Sequence, residues 1–130
     1  MSSTINNIQP QSVGIAVNMA QAAGTYTLVT ATNGDVMIEV NRVYQITAGA
    51  TFTSARISTN DTTPFDIMTA AEGAVASLTA GKNIATANTI APFVLKSGKV
   101  IQLTMLGTTG TGTATLALEY FPLTPGAYLA

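Results

Sequence analysis

From Gly24 onward, apolar and polar residues alternate in short segments, the period of a half-buried β-strand. In "GTYTLVTA", Tyr26, Leu28 and Thr30 share one face. In "DVMIEV", Val36, Ile38 and Val40 oppose Met37 and Glu39. Asn33-Gly34 lies between these two segments. A two-residue type I′ turn needs positive φ at both central positions, which Asn-Gly tolerates, so the pair predicts a hairpin. The alternation slips at Asn41-Arg42, which predicts a bulge or short turn, and resumes with Tyr44 and Ile46 inward. "ATFTSARIS" is a further strand. The stretch 58–83, "STNDTTPFDIMTAAEGAVASLTAGKN", is different. Asn60 to Pro64 are turn formers. "DIMTAAEG" predicts one or two helical turns, with Asp66 as N-cap and Gly73 as terminator. "AVASLTAG" predicts a short strand turned by Gly81-Lys82.

Pro92 confines "NTIAPFVLKS" to an edge or a strand start, because proline has no N–H for a ladder. "SGK" at 97–99 is a tight turn. "KVIQLTML" sets Ile101, Leu103 and Met105 against Val100, Gln102 and Thr104. "GTTGTG" is a small-residue turn, and "TATLALEYF" aligns Leu116, Leu118 and Tyr120. The sum is about eight strands at intervals of roughly 8–12 residues, the spacing of a sandwich or barrel. The fold class is all-β: an antiparallel β-sandwich, with a jelly roll as the economical arrangement and an up-and-down barrel as the alternative. The predicted organisation is an N-terminal arm over 1–23, a sandwich domain over 24–123 and a tail over 124–130. The arm orders on a partner, and Val13 to Val17 are its candidate edge strand.

Composition changes the picture of the surface. The 130 residues are 47% apolar and only 8% charged, with a net charge of −1. Ordinary soluble chains carry about a quarter charged residues. Strand faces here are dressed instead with Thr, about one residue in six, which is β-branched yet polar. Such a surface suits a subunit covered by neighbours in a large assembly. The positive charges, Arg42, Arg56, Lys82, Lys96 and Lys99, are scattered. They form no stripe for a phosphate backbone, so no nucleic-acid partner is expected. No apolar run reaches the ~18–20 residues of a membrane helix, so no membrane partner is expected. "MSSTINNIQP" lacks the features of a signal peptide, and the expectation is cytoplasmic synthesis without export.

Candidate chemistry is sparse. The chain has no Cys and no His, which removes disulfides, thiolate metal sites and the commonest general base. The acids are Asp35, Glu39, Asp61, Asp66, Glu72 and Glu119. A glycosidase needs two carboxylates flanking an aromatic-lined cleft, and this chain has no Trp. Asn60, Asp61 and Asp66 offer hard oxygens but lack the calcium-loop pattern. "GTTGTG" lacks the Lys of a phosphate loop. Glu39 and Glu119 face solvent or a neighbour, paired with Arg42 or Arg56. The reading is non-enzymatic, with no catalytic residues, no metal, no cofactor and no small-molecule substrate.

The segments "ATFTSARISTNDTTPFDIMTAAEGAVASLTAGKN" and "PFVLKSGKVIQLTMLGTTGTGTATLALEYFPL" carry a resemblance. A strand, a Thr/Asp/Pro loop, a small-residue strand, a Gly-Lys turn and two paired strands ending in "EYFPL" resemble small tailed-bacteriophage virion proteins. Within these, the chain is most similar to jelly-roll head decoration (cement) proteins. The resemblance covers residues 24–123. It implies a homotrimer on the capsid surface of the virion, at threefold positions, clamping adjacent copies of the major capsid protein. Candidate capsid or subunit contacts are Ile5, Ile8, Pro10 and Val13 in the arm, and Pro64, Phe65, Ile67 and Met68 in the loop. Apolar residues on a loop mark either a contact or a cap on the sandwich. The alternatives are a tail, baseplate or fibre-base subunit, or a small glycan-binding module on the virion surface.

Overall fold

The computed structural model describes residues 9–44, 47, 52–78, 84, 86, 88 and 91–130. Among the described residues, nine strands run in chain order: β1 (Gln11–Asn18), β2 (Gly24–Thr32), β3 (Val36–Tyr44), β4 (Phe52–Thr59), β5 (Asp66–Met68), β6 (Phe93–Leu95), β7 (Val100–Gly107), β8 (Thr113–Pro122) and β9 (Tyr128–Leu129). They form a four-stranded sheet in the order β1-β8-β3-β6 and a five-stranded sheet in the order β5-β4-β7-β2-β9. The pairings nest: β1 with β8, β2 with β7, β3 with β6 and β4 with β5, all antiparallel. A long hairpin folded this way and wrapped round a core is a jelly roll, and β9 adds a short ninth strand.

The alternation explains the core. Ile101, Leu103 and Met105 point inward from β7, and Leu116, Leu118 and Tyr120 from β8, as their spacing predicts. Val36, Ile38, Ile57, Ile67 and Leu95 join them, each fully buried. Burying such a side chain contributes about 1.5–3 kcal/mol, so the two inner faces supply the main driving force. Pro92 directly precedes β6, which is an edge strand as its sequence requires.

Several local readings are corrected. Asn33-Gly34 does not close a hairpin, because β2 and β3 lie in different sheets. Asn33 does adopt φ 62° and Gly34 φ 140°, but the corner carries the chain from one sheet to the other. β7 and β8 are likewise in different sheets and are not a pair. Among the described residues, β4 and β5 are the one pair of strands consecutive in sequence that are neighbours in a sheet. The slip in β3 falls between Ile38 and Val40, not at Asn41-Arg42. Val40 is therefore half-buried, while Asn41 and Val43 turn inward in place of Tyr44. Ile46 lies outside the described residues. In β2 a shift between Thr27 and Val29 sends Val29 and Ala31 to the core and leaves Thr30 half-buried.

The helix-like patch resolves into three pieces. Asp66 begins strand β5 rather than capping a helix. A single helical turn follows, closed by the Gly73 N–H donating to the Thr69 carbonyl at 2.9 Å. Its cap is reciprocal: the Thr69 N–H donates to Glu72 Oε1 at 2.8 Å, and the Glu72 N–H donates to Thr69 Oγ1 at 3.1 Å. Val75–Ser77 is then a 3-10 turn where a strand was expected. Small residues let this connection lie flat on β4. A Cβ on Gly73 would come within 1.7 Å of the Ala55 carbonyl oxygen.

Candidate docking surfaces

One end of the sandwich gathers Pro10 before β1, the Asn33–Asp35 corner, the 60–65 hairpin loop, the 96–99 turn and the 123–127 turn. Asp35 ties three of these together. Its Oδ1 accepts the Ser97 N–H at 2.8 Å, and Lys96 Nζ lies 3.5 Å from Oδ2. Its own N–H donates to Thr124 Oγ1 at 3.1 Å, and its carbonyl accepts the Leu123 N–H at 2.9 Å. Gly34 is required there, since a Cβ would lie 2.3 Å from that of Thr124. Asn60 stitches the hairpin loop to β7, its Oδ1 accepting the Val100 N–H at 2.9 Å. The Phe65 N–H donates to Thr59 Oγ1 at 2.9 Å. Backbone and side-chain bonds thus fix the loops of this end in one arrangement.

The candidate contact residues divide between this end and the core. Pro10 and Pro64 are exposed, and both stand at the bonded end. Phe65 is half-buried and stacks on Phe93, with centroids 4.2 Å apart and planes 19° from parallel. Phe65 directly precedes β5 and Phe93 opens β6, so the stack joins the two sheets across the side of the sandwich. Val13 is half-buried on β1, while Ile67 and Met68 are fully buried in the core. Ile5 and Ile8 lie outside the described residues.

The outer face of the four-stranded sheet holds a surface the sequence did not suggest. Register places Gly14 opposite Ala117, and Ala117 opposite Arg42. Two small residues side by side leave a trough between the rows Ser12–Glu119–Val40 and Ala16–Thr115–Tyr44. The groove measures about 540 Å³ and is lined by Ser12, Gly14, Val40, Arg42, Tyr44 and Glu119, among others. The expected pairing of Glu39 or Glu119 with an arginine is not formed among the described residues. Arg56 binds Asp66 instead, Nε to Oδ1 at 2.6 Å. The signal for the groove is the pair Gly14 and Ala117, legible only once strand register is known.

Polar chemistry elsewhere is structural. Asn41, fully buried on β3, donates through Nδ2 to the Asn88 carbonyl at 3.0 Å, and Asn88 donates to the Asp66 carbonyl at 2.8 Å. This relay links the two sheets beside the Phe65–Phe93 stack. Among the described residues, no three acidic side chains gather as a metal site, and no helix is long and apolar enough to cross a membrane.

No family model matches the chain, and no curated protein does. Among solved structures it is similar to a chain of the acidic stable capsid structure of Helicobacter pylori bacteriophage KHP30. Identity there is 17%, over 95% of this chain and 98% of that one, with a TM-score of 0.47. A chain of the extra small virus VLP of the giant freshwater prawn Macrobrachium rosenbergii is 10% identical over 93% and 83%, with a TM-score of 0.36. At these identities and scores neither likeness assigns a function.

Proposed function

We propose that this protein is a virion structural protein, a decoration subunit that binds the outer surface of a phage head and clamps adjacent major capsid proteins. The observation that carries the reading is the surface. A jelly roll with 8% charged residues presents Thr25, Thr27, Gln102 and Thr104 on one outer face, and on the other Ser12, Gly14, Ala16 and Ala117 beside the charges Arg42 and Glu119. Net charge keeps free molecules apart, so a face so poor in charge suits a subunit that spends its life against neighbours.

The bonded end supplies the docking element in this reading. Pro10, Pro64 and the exposed part of Phe65 make the contact, and Ile5 and Ile8 of the arm are its further candidate residues. Loops already fixed by Asp35, Asn60 and Thr59 lose little entropy on binding. Each contact is small, and several subunits engaging one lattice make the set hard to remove. The mechanism is burial and avidity, with no covalent step. The resemblance implies three subunits per clamp, but the mechanism itself requires only that several contacts act together.

Quantitative mass spectrometry of separated heads and tails from purified particles tests the proposal. The expected result is recovery with heads in a fixed ratio to the major capsid protein. Recovery with tails alone would replace the decoration role by a tail or baseplate role.

A further inference from the structure

Among the described residues, the two sheets end in four edge strands. Three are stunted: β5 and β6 have three residues each and β9 has two. β5 also carries a register shift. β1 is unlike them. It has eight residues, pairs with β8 without a shift, and contains neither a charge nor a proline. Among the described residues, no backbone hydrogen bond joins its outer edge to another segment. Folded proteins blunt long edges with lysine, proline or bulges, because a bare edge is a template for another strand. Within its eight residues β1 has none of those devices, and Pro10 stands before it only as Pro92 stands before β6.

The side of the sandwich that β1 borders is also unfinished. Among the described residues, the β5–β6 side is closed by Gly73, Asn88 and the Phe65–Phe93 stack. On the β1–β2 side, β9 and the following Ala130 pair only with Thr30, Ala31 and Thr32. Val13 and Ile15 of β1, and Tyr26 and Leu28 of β2, pack on the core yet remain half-buried. They form an apolar seam along the free edge.

We propose that a second copy of this chain binds this edge, the two β1 strands pairing antiparallel about a two-fold axis at Ile15. Residues opposite one another in a sheet share a face, so the axis must pass through a residue rather than between two. An axis at Ile15 opposes Ile15 to itself and Val13 to Val17 on the core face, and Gly14 to Ala16 and Ser12 to Asn18 outside. Every apolar residue then meets an apolar one, and no like charges are opposed. An axis at Gly14 would set Gln11 against Val17 on the core face. The two four-stranded sheets become one, the seams of both copies close on each other, and the bare edge is consumed. An isologous contact of this kind is self-limiting. It departs from the trimer implied by the resemblance, and it holds or fails independently of any role on a virion.

The native chain has no cysteine, so single-cysteine variants report the register directly. On the axis, opposed Cα atoms are about 4.5–5.5 Å apart, within disulfide reach. Ile15→Cys is therefore expected to give a cross-linked dimer under mild oxidation. Ser12→Cys is not, because its two copies would stand about 20 Å apart along the strands. Light scattering of the native protein is expected to give twice the chain mass, reduced to the single chain mass by Ile15→Lys. A native monomer, a native trimer, or equal cross-linking at positions 12 and 15 would overturn the proposal. Should Ile15→Lys fail to fold, native mass and cross-linking still decide.

Discussion

Phe65 was the loop residue most open to two readings, and its stack on Phe93 makes the choice measurable. The ring is half-buried and lies 4.2 Å from Phe93. A fully buried Phe→Ala change costs about 3–5 kcal/mol. Half-burial scales that to roughly 1.5–2.5 kcal/mol for Phe65→Ala, and Phe93, also half-buried, should behave alike. The stack itself adds about 0.5–1.5 kcal/mol of coupling. The double variant should therefore be less destabilised than the two singles summed, by about 1 kcal/mol. Equilibrium urea unfolding of the four proteins gives the cycle, with m-values expected to stay equal. Contacting residues that failed to couple beyond ~0.3 kcal/mol would refute the clasp between the two sheets. Binding of folded Phe65→Ala to heads should fall less than binding of Pro64→Asp, since most of the ring is engaged with Phe93.

Gly73→Ala should destabilise by about 2–4 kcal/mol, from overpacking and one strained hydrogen bond, whereas Gly98→Ala meets nothing within 4 Å and should lose only about 1 kcal/mol through its positive φ; thermal melting of both checks the ranking. Asp66→Ala should cost no more than about 1 kcal/mol, because its partner Arg56 is partly solvated, and the loss should shrink in high salt. Asn41→Ala should cost about 1–3 kcal/mol by leaving the buried relay to Asn88 without its donor, measured by urea unfolding. Removing residues 1–8 should leave the melting temperature unchanged and weaken head binding, read by co-sedimentation.

The inner faces of the long strands were legible because β7 and β8 alternate without interruption from Val100 to Met105 and from Ala114 to Tyr120. Where a bulge intervened, as at Ile38–Val40 and Thr27–Val29, the inward residue changed parity and the reading slipped with it. Strand partners were less accessible. Asn33-Gly34 has hairpin chemistry, yet its flanking strands find partners far along the chain. Periodicity says which face is buried, not which strand lies beside it. The real local hairpin, β4–β5, was obscured because Asp66 reads as the N-cap of a helix ended by Gly73, whereas Asp66 opens β5 and the cap of the single turn is Thr69 with Glu72. Pro10 and Pro64 were readable as exposed apolar residues. Ile67 and Met68 were not separable from them, because two positions beyond a turn look alike whether the strand faces solvent or core. The groove over Gly14 and Ala117 depends on register and had no local signature.

In the proposed function this jelly roll decorates a head. Co-sedimentation of the purified protein with expanded, tailless heads that lack it decides the matter. The expected result is binding that saturates at a fixed ratio to the major capsid protein and raises the temperature at which the heads disrupt. Absence of binding, or binding that never saturates and leaves head stability unchanged, would contradict it.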